Sequence, residues 1–136
     1  MTIEQEISNE IYKMMHLHQK FSEGKFEELN NLYSDDFQGW LYMPWVGELE
    51  HFNAASIKKG NRLAAEYYKG KDITFIYTGL KIVPQSINQA AVSYEVIHQN
   101  KEQVMMVRAL ALEVWRQEAD GKWRIIRWYE EKGSRI

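Results

Sequence analysis

Apolar residues at the start of the chain recur at steps of three and four, the spacing of one face of an α-helix. Gly24 follows this pattern and is typical of a helix end. A second, shorter pattern predicts another helix that ends near residues 34–36. The positions on the two faces are Ile3, Ile7, Ile11, Met14, His18 and Phe21, then Phe26, Leu29, Leu32 and Tyr33.

A third helix is predicted after a short aromatic strand and a loop that contains Pro44 and Gly47. Asn53 is a suitable N-cap for this helix, because its side-chain oxygen can accept a hydrogen bond from a free backbone N–H group. Gly70 is placed to end it. The residues on its apolar face are Ile57, Ala64 and Tyr67 or Tyr68.

From Asp72 onward the pattern changes to runs that are rich in Ile, Val, Tyr and Trp. Breaks at residues 84–88, at Asn100 and Lys101, and at residues 119–121 divide these runs into four strands of an antiparallel meander. Helices followed by strands predict a single α+β domain over residues 1–136, with the helices packed on one face of a curved sheet.

The turns predict which residues face each other across the sheet. A two-residue turn at Asn100 and Lys101 places Tyr94 opposite Val107. A three-residue loop at residues 119–121, with glycine in the left-handed position, places Glu113 opposite Arg127. A two-residue loop instead places Glu113 opposite Trp128.

With the three-residue loop, one face of the sheet combines small and polar side chains, as the wall of a ligand cavity does. Ala109 and Ala111 leave space, and Glu113 and Arg127 form a cross-strand pair beside it. The alternative is an ion pair on an exposed surface, which contributes only about 0.2–1 kcal/mol. The candidate residues for a small hydrophobic ligand on this face are Tyr94, Ala109, Ala111, Glu113, Arg127 and Tyr129.

Three further residues are candidates for contact with the ligand. His18 lies on the apolar face of the first helix, where it either touches the cavity or serves as a hydrogen-bonded core residue. Trp40 and Tyr42 offer aromatic faces near a cavity mouth, although core packing accounts for them equally well.

The other face of the sheet is apolar and has no helix left in the chain to cover it. An exposed apolar face of this size indicates an interface, so we expect a homodimer through the outer sheet face. The residues on this face are Leu110, Leu112, Val114, Ile126 and Trp128.

Composition narrows the classes of function. A formal net charge of −2 gives no electrostatic reason to expect nucleic-acid binding. The absence of cysteine excludes thiolate chemistry, and the four histidines lack the spacing of a metal site, so no metal and no cofactor are expected. The polar N-terminus predicts neither a signal peptide nor a membrane span, and we expect a cytoplasmic protein.

Two stretches resemble a known superfamily. "FSEGKFEELNNLYSDDF" resembles the helix–glycine–helix segment of the nuclear transport factor 2-like superfamily, and "DGKWRI" is similar to its last hairpin. The resemblance implies a cone-shaped fold of three N-terminal helices on a mainly antiparallel sheet, in the SnoaL-like branch. Its enzymes carry out isomerisation, dehydration, cyclisation and epoxide opening.

If the cavity is catalytic, a carboxylate held by an arginine can act as a general base, and nearby tyrosines can donate hydrogen bonds to a developing oxyanion. Glu113 would be the base, Arg127 would orient it or bind an anion, and Tyr94 and Tyr129 would be the donors. Many relatives carry histidines where this chain has Arg127 and Tyr129, and the ketosteroid isomerase residues find no match here. The alternative is a non-catalytic dimerisation or ligand-binding module that resembles the kinase association domain.

Overall fold

The computed structural model describes residues 1–102 and 105–133, and this part of the chain forms an α+β fold. The sheet order is β2-β1-β6-β5-β4-β3, with β1 parallel to β6 and every other neighbouring pair antiparallel. The elements are α1 (Ile3–Gln19), a 3₁₀ helix (Lys20–Glu23), α2 (Glu27–Asn30), β1 (Tyr33–Tyr42), β2 (Leu49–Asn53), α3 (Ala54–Tyr68), β3 (Thr74–Ser86), β4 (Gln89–Gln99), β5 (Met105–Gln117) and β6 (Trp123–Lys132).

Helices α1 and α3 begin where the sequence predicts. A capping box joins Thr2 to Gln5 at the start of α1, and Asn53 and Ser56 form the same arrangement at the start of α3. Gly24 then takes a left-handed conformation with φ of 75° and ends the first helical segment. The residues that α1 buries against the sheet are Ile7, Ile11, Met14 and Leu17.

The second predicted helix is much shorter than its apolar pattern suggests. It ends at Asn30, and Tyr33 already belongs to β1, where it pairs with Ile125 of β6. The Ile125 amide also donates to the Leu32 carbonyl over 2.8 Å. Pairing with a distant strand therefore overrides the local helical pattern here. The strand β2, which pairs with β1, was not predicted from the sequence.

The predicted register across the turn between β4 and β5 is wrong, but the prediction that Tyr94 and Ala111 share the inner sheet face is confirmed. Gln99 pairs with Met105 and not with Glu102, so the predicted two-residue turn does not set the register; residues 103 and 104 lie outside the described residues. Tyr94 consequently faces Ala111 rather than Val107. Because this shift is an even number of residues, Tyr94 and Ala111 remain on the same inner face.

The hairpin between β5 and β6 has the predicted three-residue loop but a different register beyond it. Glu118 donates its amide to the Lys122 carbonyl over 2.9 Å, as predicted. The register then shifts between Trp115, which faces Ile125, and Val114, which faces Arg127. Ile126 is therefore an extra residue that has no partner, a β-bulge.

This bulge makes the predicted pairing of Glu113 with Arg127 wrong. Glu113 faces Trp128 instead, and Arg127 is exposed on the outer face of the sheet. Its guanidinium donates to the carbonyl oxygens of Asp36 and Ile126, at 3.0 and 2.6 Å. Arg127 thus satisfies backbone oxygens beside the irregular pairing of β1 with β6.

The outer sheet face keeps part of its predicted apolar surface. Leu110 and Leu112 are 45% and 44% exposed, but Ile126 is buried in the bulge. Trp128 packs against Phe37, on the helix side of the sheet. In the described part of the chain, no helix combines the length and the apolar character needed to cross a membrane.

Two glycines provide a matched test of the packing. A Cβ atom at Gly39 would lie 2.6 Å from both Phe37 Cζ and Trp128 Cε3, whereas a Cβ atom at Gly60 of α3 would meet no atom within 4 Å. We expect Gly39→Ala to lower the free energy of unfolding by about 1–3 kcal/mol through overpacking. Gly60→Ala should raise it by about 0.5–1 kcal/mol, because alanine is the better helix former.

Urea denaturation of both variants measures the two effects. Equal stability of Gly39→Ala and the unchanged protein would contradict the close packing of β1 against Trp128.

Candidate active-site cavity

A cavity of about 270 Å³ lies between the helices and the inner face of the sheet. Side chains from α1, α3 and all six strands surround it. Its polar lining residues are His18, Tyr33, Asn61, Tyr68, Tyr77, Tyr94, His98, Glu113, Glu130 and Lys132. Its apolar lining includes Met14, Phe21, Leu41, Phe52, Ile57, Phe75 and Trp128. A largely apolar cavity with a few converging polar groups is the common form of a ligand site.

Glu113 is the central ionisable group of this cavity. Its side chain is buried, with 4% of the residue exposed, and each carboxylate oxygen accepts one hydrogen bond. Tyr94 donates its hydroxyl over 2.7 Å, and Trp115 donates its indole Nε1–H over 2.9 Å. Burial raises the pKa of Glu113 to about 7, against the opposing effect of these two bonds.

A series of aromatic groups connects Glu113 with α1. The rings of Tyr94 and Tyr77 stack with their centroids 4.5 Å apart. The Tyr77 hydroxyl lies 2.6 Å from His18 Nδ1, which also lies 3.0 Å from the Met14 carbonyl oxygen. Burial lowers the pKa of His18 to about 4, so the imidazole is neutral at pH 7.

A second polar group lies along β6 in the same cavity. Burial raises the pKa of Glu130, while Lys132, with its Nζ atom 3.8 Å from Glu130 Oε2, opposes that effect. His98 of β4 lies near Lys132, and its pKa falls to about 3, mainly through burial and then through the lysine charge. Both histidines of the cavity are therefore neutral near pH 7.

Small residues explain why the space remains open. Ala111 pairs with Tyr94 on one side and with Glu130 on the other, and its methyl group lies between the two larger side chains. Ala109 lies next along β5, facing Val96 and Lys132. Across the cavity, Gly60 and Ala64 of α3 form part of the opposite wall.

The structure brings together only some of the residues that the sequence analysis selected. Glu113, Tyr94 and His18 line the cavity, and the buried Ala109 and Ala111 lie in the sheet beneath it. The remaining four, Arg127, Tyr129, Trp40 and Tyr42, belong to the outer face.

These outer residues belong to a different, more open region. Trp40 pairs with Tyr129 across β1 and β6, and both line an outer groove of about 520 Å³ with Arg127. Tyr129 donates its hydroxyl to Glu131 over 2.7 Å. The expectation that Trp40 and Tyr42 lie at the cavity mouth is wrong, because β1 directs Leu41 inward.

Seven polar residues of the cavity were not predicted from the sequence to line it: Tyr33, Asn61, Tyr68, Tyr77, His98, Glu130 and Lys132. Alternation along β3 and β4 contains a signal for Tyr77 and His98, since each lies an even number of residues from a buried aromatic residue, Phe75 or Tyr94. No comparable signal exists for Glu130 and Lys132, because the bulge at Ile126 reverses the alternation of β6.

Across the described residues, no group of three or more His, Asp or Glu side chains is arranged to hold a metal ion.

Solved structures of similar fold come from several bacteria. A nuclear transport factor 2-like protein of unknown function from Pseudomonas aeruginosa is 13% identical, with a TM-score of 0.75 over 94% of this chain and 98% of that chain. A proposed ketosteroid isomerase from Shewanella frigidimarina is 17% identical, with a TM-score of 0.62 over 89% of this chain and 91% of that chain.

A third similar structure is a proposed calcium/calmodulin-dependent protein kinase II association domain from Xanthomonas campestris. It is 16% identical, with a TM-score of 0.65 over 96% of this chain and 88% of that chain. The sequence matches no protein-family model and no curated protein. These similarities establish a nuclear transport factor 2-like fold, and a fold of this kind does not by itself define a function.

The two donors to Glu113 allow a direct test of its environment. Hydrogen bonds to a carboxylate favour its charged form, so we expect Tyr94→Phe and Trp115→Phe each to raise the pKa of Glu113 above about 7. Carbon-13 NMR titration of the labelled carboxyl group measures this change. Tyr129→Phe is the matched control, because its hydroxyl bonds Glu131 on the outer face.

A Glu113 pKa that Tyr94→Phe leaves unchanged, or that Tyr129→Phe shifts equally, would contradict this account of the site.

Proposed function

We propose that the protein binds a small hydrophobic molecule in the interior cavity and acts on it by cofactor-independent proton transfer, as an isomerase, a lyase or a cyclase does. The observation that supports this proposal is the buried Glu113 with a pKa of about 7 at an open cavity. A general base works best when its pKa lies near the operating pH. An ordinary exposed glutamate has a pKa near 4.5 and is a much weaker base.

The neighbours of Glu113 fit the role of a positioned base. Tyr94 and Trp115 hold its two oxygens from different sides and fix the carboxylate plane. The orienting role that the sequence analysis gave to Arg127 therefore falls to these neutral donors. This substitution matters for chemistry, because a guanidinium partner would lower the pKa of the carboxylate and weaken the base.

Donors for a developing negative charge on the ligand are also present. Burial keeps Tyr77 protonated well above pH 10, so its hydroxyl is a neutral donor throughout the physiological range. His18 lies beside it in the neutral form. Donors in a site that excludes water stabilise an oxyanion more strongly than they would in bulk solvent.

The alternative function is a non-catalytic dimerisation or ligand-binding module. The exposed Leu110 and Leu112 on the outer sheet face support assembly, since apolar side chains on a sheet face are costly to leave in water. The similar fold of a proposed kinase association domain is compatible with this alternative. A homodimer through the outer face is also compatible with catalysis, because the cavity lies on the other side of the sheet.

Exchange of carbon-bound protons tests the catalytic proposal. We expect the protein to incorporate deuterium from D₂O next to the carbonyl group of small cyclic enones such as 3-cyclohexenone. The rate should rise with pH through about 7, because only the ionised form of Glu113 accepts a proton. Glu113→Gln should lower the rate by roughly 10²–10⁴-fold, which is the usual contribution of a general base.

Proton NMR measures the exchange, and Glu131→Gln on the outer face provides the control with an unchanged rate. Exchange by Glu113→Gln at the rate of the unchanged protein would end the catalytic role of Glu113. An absence of exchange with every enone would favour the binding module.

Assembly has its own test. Light scattering at micromolar concentration should give twice the mass of one chain, and Leu110→Glu and Leu112→Glu should shift the protein to single chains, because each places a charge in the apolar interface. Leu63→Glu on α3, which replaces another exposed leucine away from the sheet, should leave the dimer intact. A single-chain mass for the unchanged protein would contradict the homodimer.

A further inference from the structure

The cavity lining contains more acidic than basic charge. Glu113 and Glu130 are its carboxylates, and Lys132 is the single lysine or arginine among the described lining residues. His18 and His98 add no charge near pH 7, because burial lowers the pKa of both. With both carboxylates ionised, the lining therefore has a formal charge of −1.

The hydrogen bonds to the Glu113 carboxylate come from neutral groups. Its two hydrogen bonds come from a phenol and an indole, neither of which carries a compensating positive charge. No ion pair among the described residues includes Glu113. Arg127, the partner predicted from the sequence, lies on the outer face. A buried carboxylate without a cation is costly, and a positively charged ligand would supply the missing partner.

The sheet register places the two carboxylates around one space. Glu130 faces Ala111 directly, and Glu113 lies two residues farther along β5 on the same face. Diagonal neighbours of this kind have Cα atoms about 7–8 Å apart, so long side chains reach the same region. The methyl group of Ala111 forms the floor between them.

Aromatic rings complete the surroundings of this space. Tyr94 faces Ala111 from β4, Tyr77 stacks on Tyr94, and Trp128 faces Glu113 from β6. The faces of tyrosine and tryptophan rings carry negative potential and attract ammonium groups, an interaction that strengthens when water is excluded. The carboxylates and the aromatic faces thus both favour a positively charged ligand.

We infer that the ligand of this cavity is an organic monocation, an amine with a compact apolar body, whose ammonium group lies above Ala111 between Glu113 and Glu130. The inference rests on the proposed function only in taking this cavity as the ligand site. A volume of about 270 Å³ corresponds to about nine water molecules at 30 Å³ each, so the cavity has room for a ligand of about nine non-hydrogen atoms.

A cationic ligand also changes the state of the base. Its charge favours the ionised form of Glu113, so binding near neutral pH releases the carboxyl proton to solvent. The groups that face Glu113 are Tyr94 of β4, Tyr77 of β3, His18 of α1, Trp115 of β5, Tyr33 of β1 and Glu130 of β6; the Glu130 carboxylate raises the pKa of Glu113, and burial raises the pKa of Glu130 itself. The substrate would thus prepare the base that acts on it.

Three probes of similar size test the inference: benzylammonium, benzyl alcohol and benzoate. By isothermal titration calorimetry at pH 8, we expect benzylammonium to bind at least tenfold more tightly than benzyl alcohol, and benzoate to bind least. The benzylammonium affinity should fall about tenfold between pH 8 and pH 6, because Glu113 becomes protonated over this range. Benzyl alcohol should show no such fall.

Variants assign the effect to the two carboxylates. Glu113→Gln and Glu130→Gln should each lower the affinity for benzylammonium at least tenfold and leave the affinity for benzyl alcohol unchanged. Glu131→Gln on the outer face should change neither affinity. If Glu113→Gln fails to fold, as judged by circular dichroism, Glu130→Gln carries the same test.

Three outcomes would overturn the inference: equal or tighter binding of benzyl alcohol, a preference for benzoate, or no binding of benzylammonium at millimolar concentration. Deuterium exchange separates this failure from failure of the proposed function. Exchange that requires Glu113, together with a preference for benzyl alcohol, would retain the proton-transfer function and reject the cationic ligand. Absence of both binding and exchange would reject both.

Discussion

A single extra residue in β6 determines which charges the protein encloses. The bulge at Ile126 reverses the alternation of the strand, so Glu130 and Lys132 point toward the helices and Arg127 points away. Arg127 then bonds the carbonyl oxygens of Asp36 and Ile126, which stabilises the same irregularity that turned it outward. Glu113 consequently faces Trp128 and has only neutral partners. The electrostatic character of the cavity follows from this local backbone choice.

Two opposing effects set the acidity of Glu113, and burial is the stronger. Its pKa of about 7, compared with 4.5 for an ordinary glutamate, corresponds to about 3 kcal/mol in favour of the protonated form at 1.36 kcal/mol per unit. Because the folded pKa is raised, this contribution to stability is complete below pH 4.5 and is lost as the pH rises through 7. Above pH 7 the folded protein therefore contains an ionised Glu113 that burial destabilises.

The sequence predicts the fold well because its signals are local. Periodicity places α1, α3 and the four long strands, and the Asn53 cap and the loop at residues 119–121 are confirmed by the structure. The candidate site is predicted less well, because one unpaired residue moves Arg127 and Tyr129 to the wrong face for a ligand. No local pattern in β6 predicts the bulge. The hydrogen bond from Arg127 beside it goes to the Asp36 carbonyl oxygen of β1, which is distant in the chain. The pairing of Tyr33 with Ile125 of β6, also distant in the chain, ends α2 earlier than its apolar pattern predicts.

The strands and helix α3 contribute different kinds of residue to the cavity. Its ionisable groups lie mainly on the strands, whose register is fixed by many cross-strand bonds, whereas Gly60 and Ala64 lie on the inward side of α3. Under the proposed function, a change at either helix position would alter the length of molecule that fits, while the carboxylates and tyrosines on the strands stay in place. Ligand size and proton-transfer chemistry would then be separable traits, and substitutions at Gly60 and Ala64 would let descendants of the protein accept a larger or smaller ligand without a change in the ionisable groups of the strands.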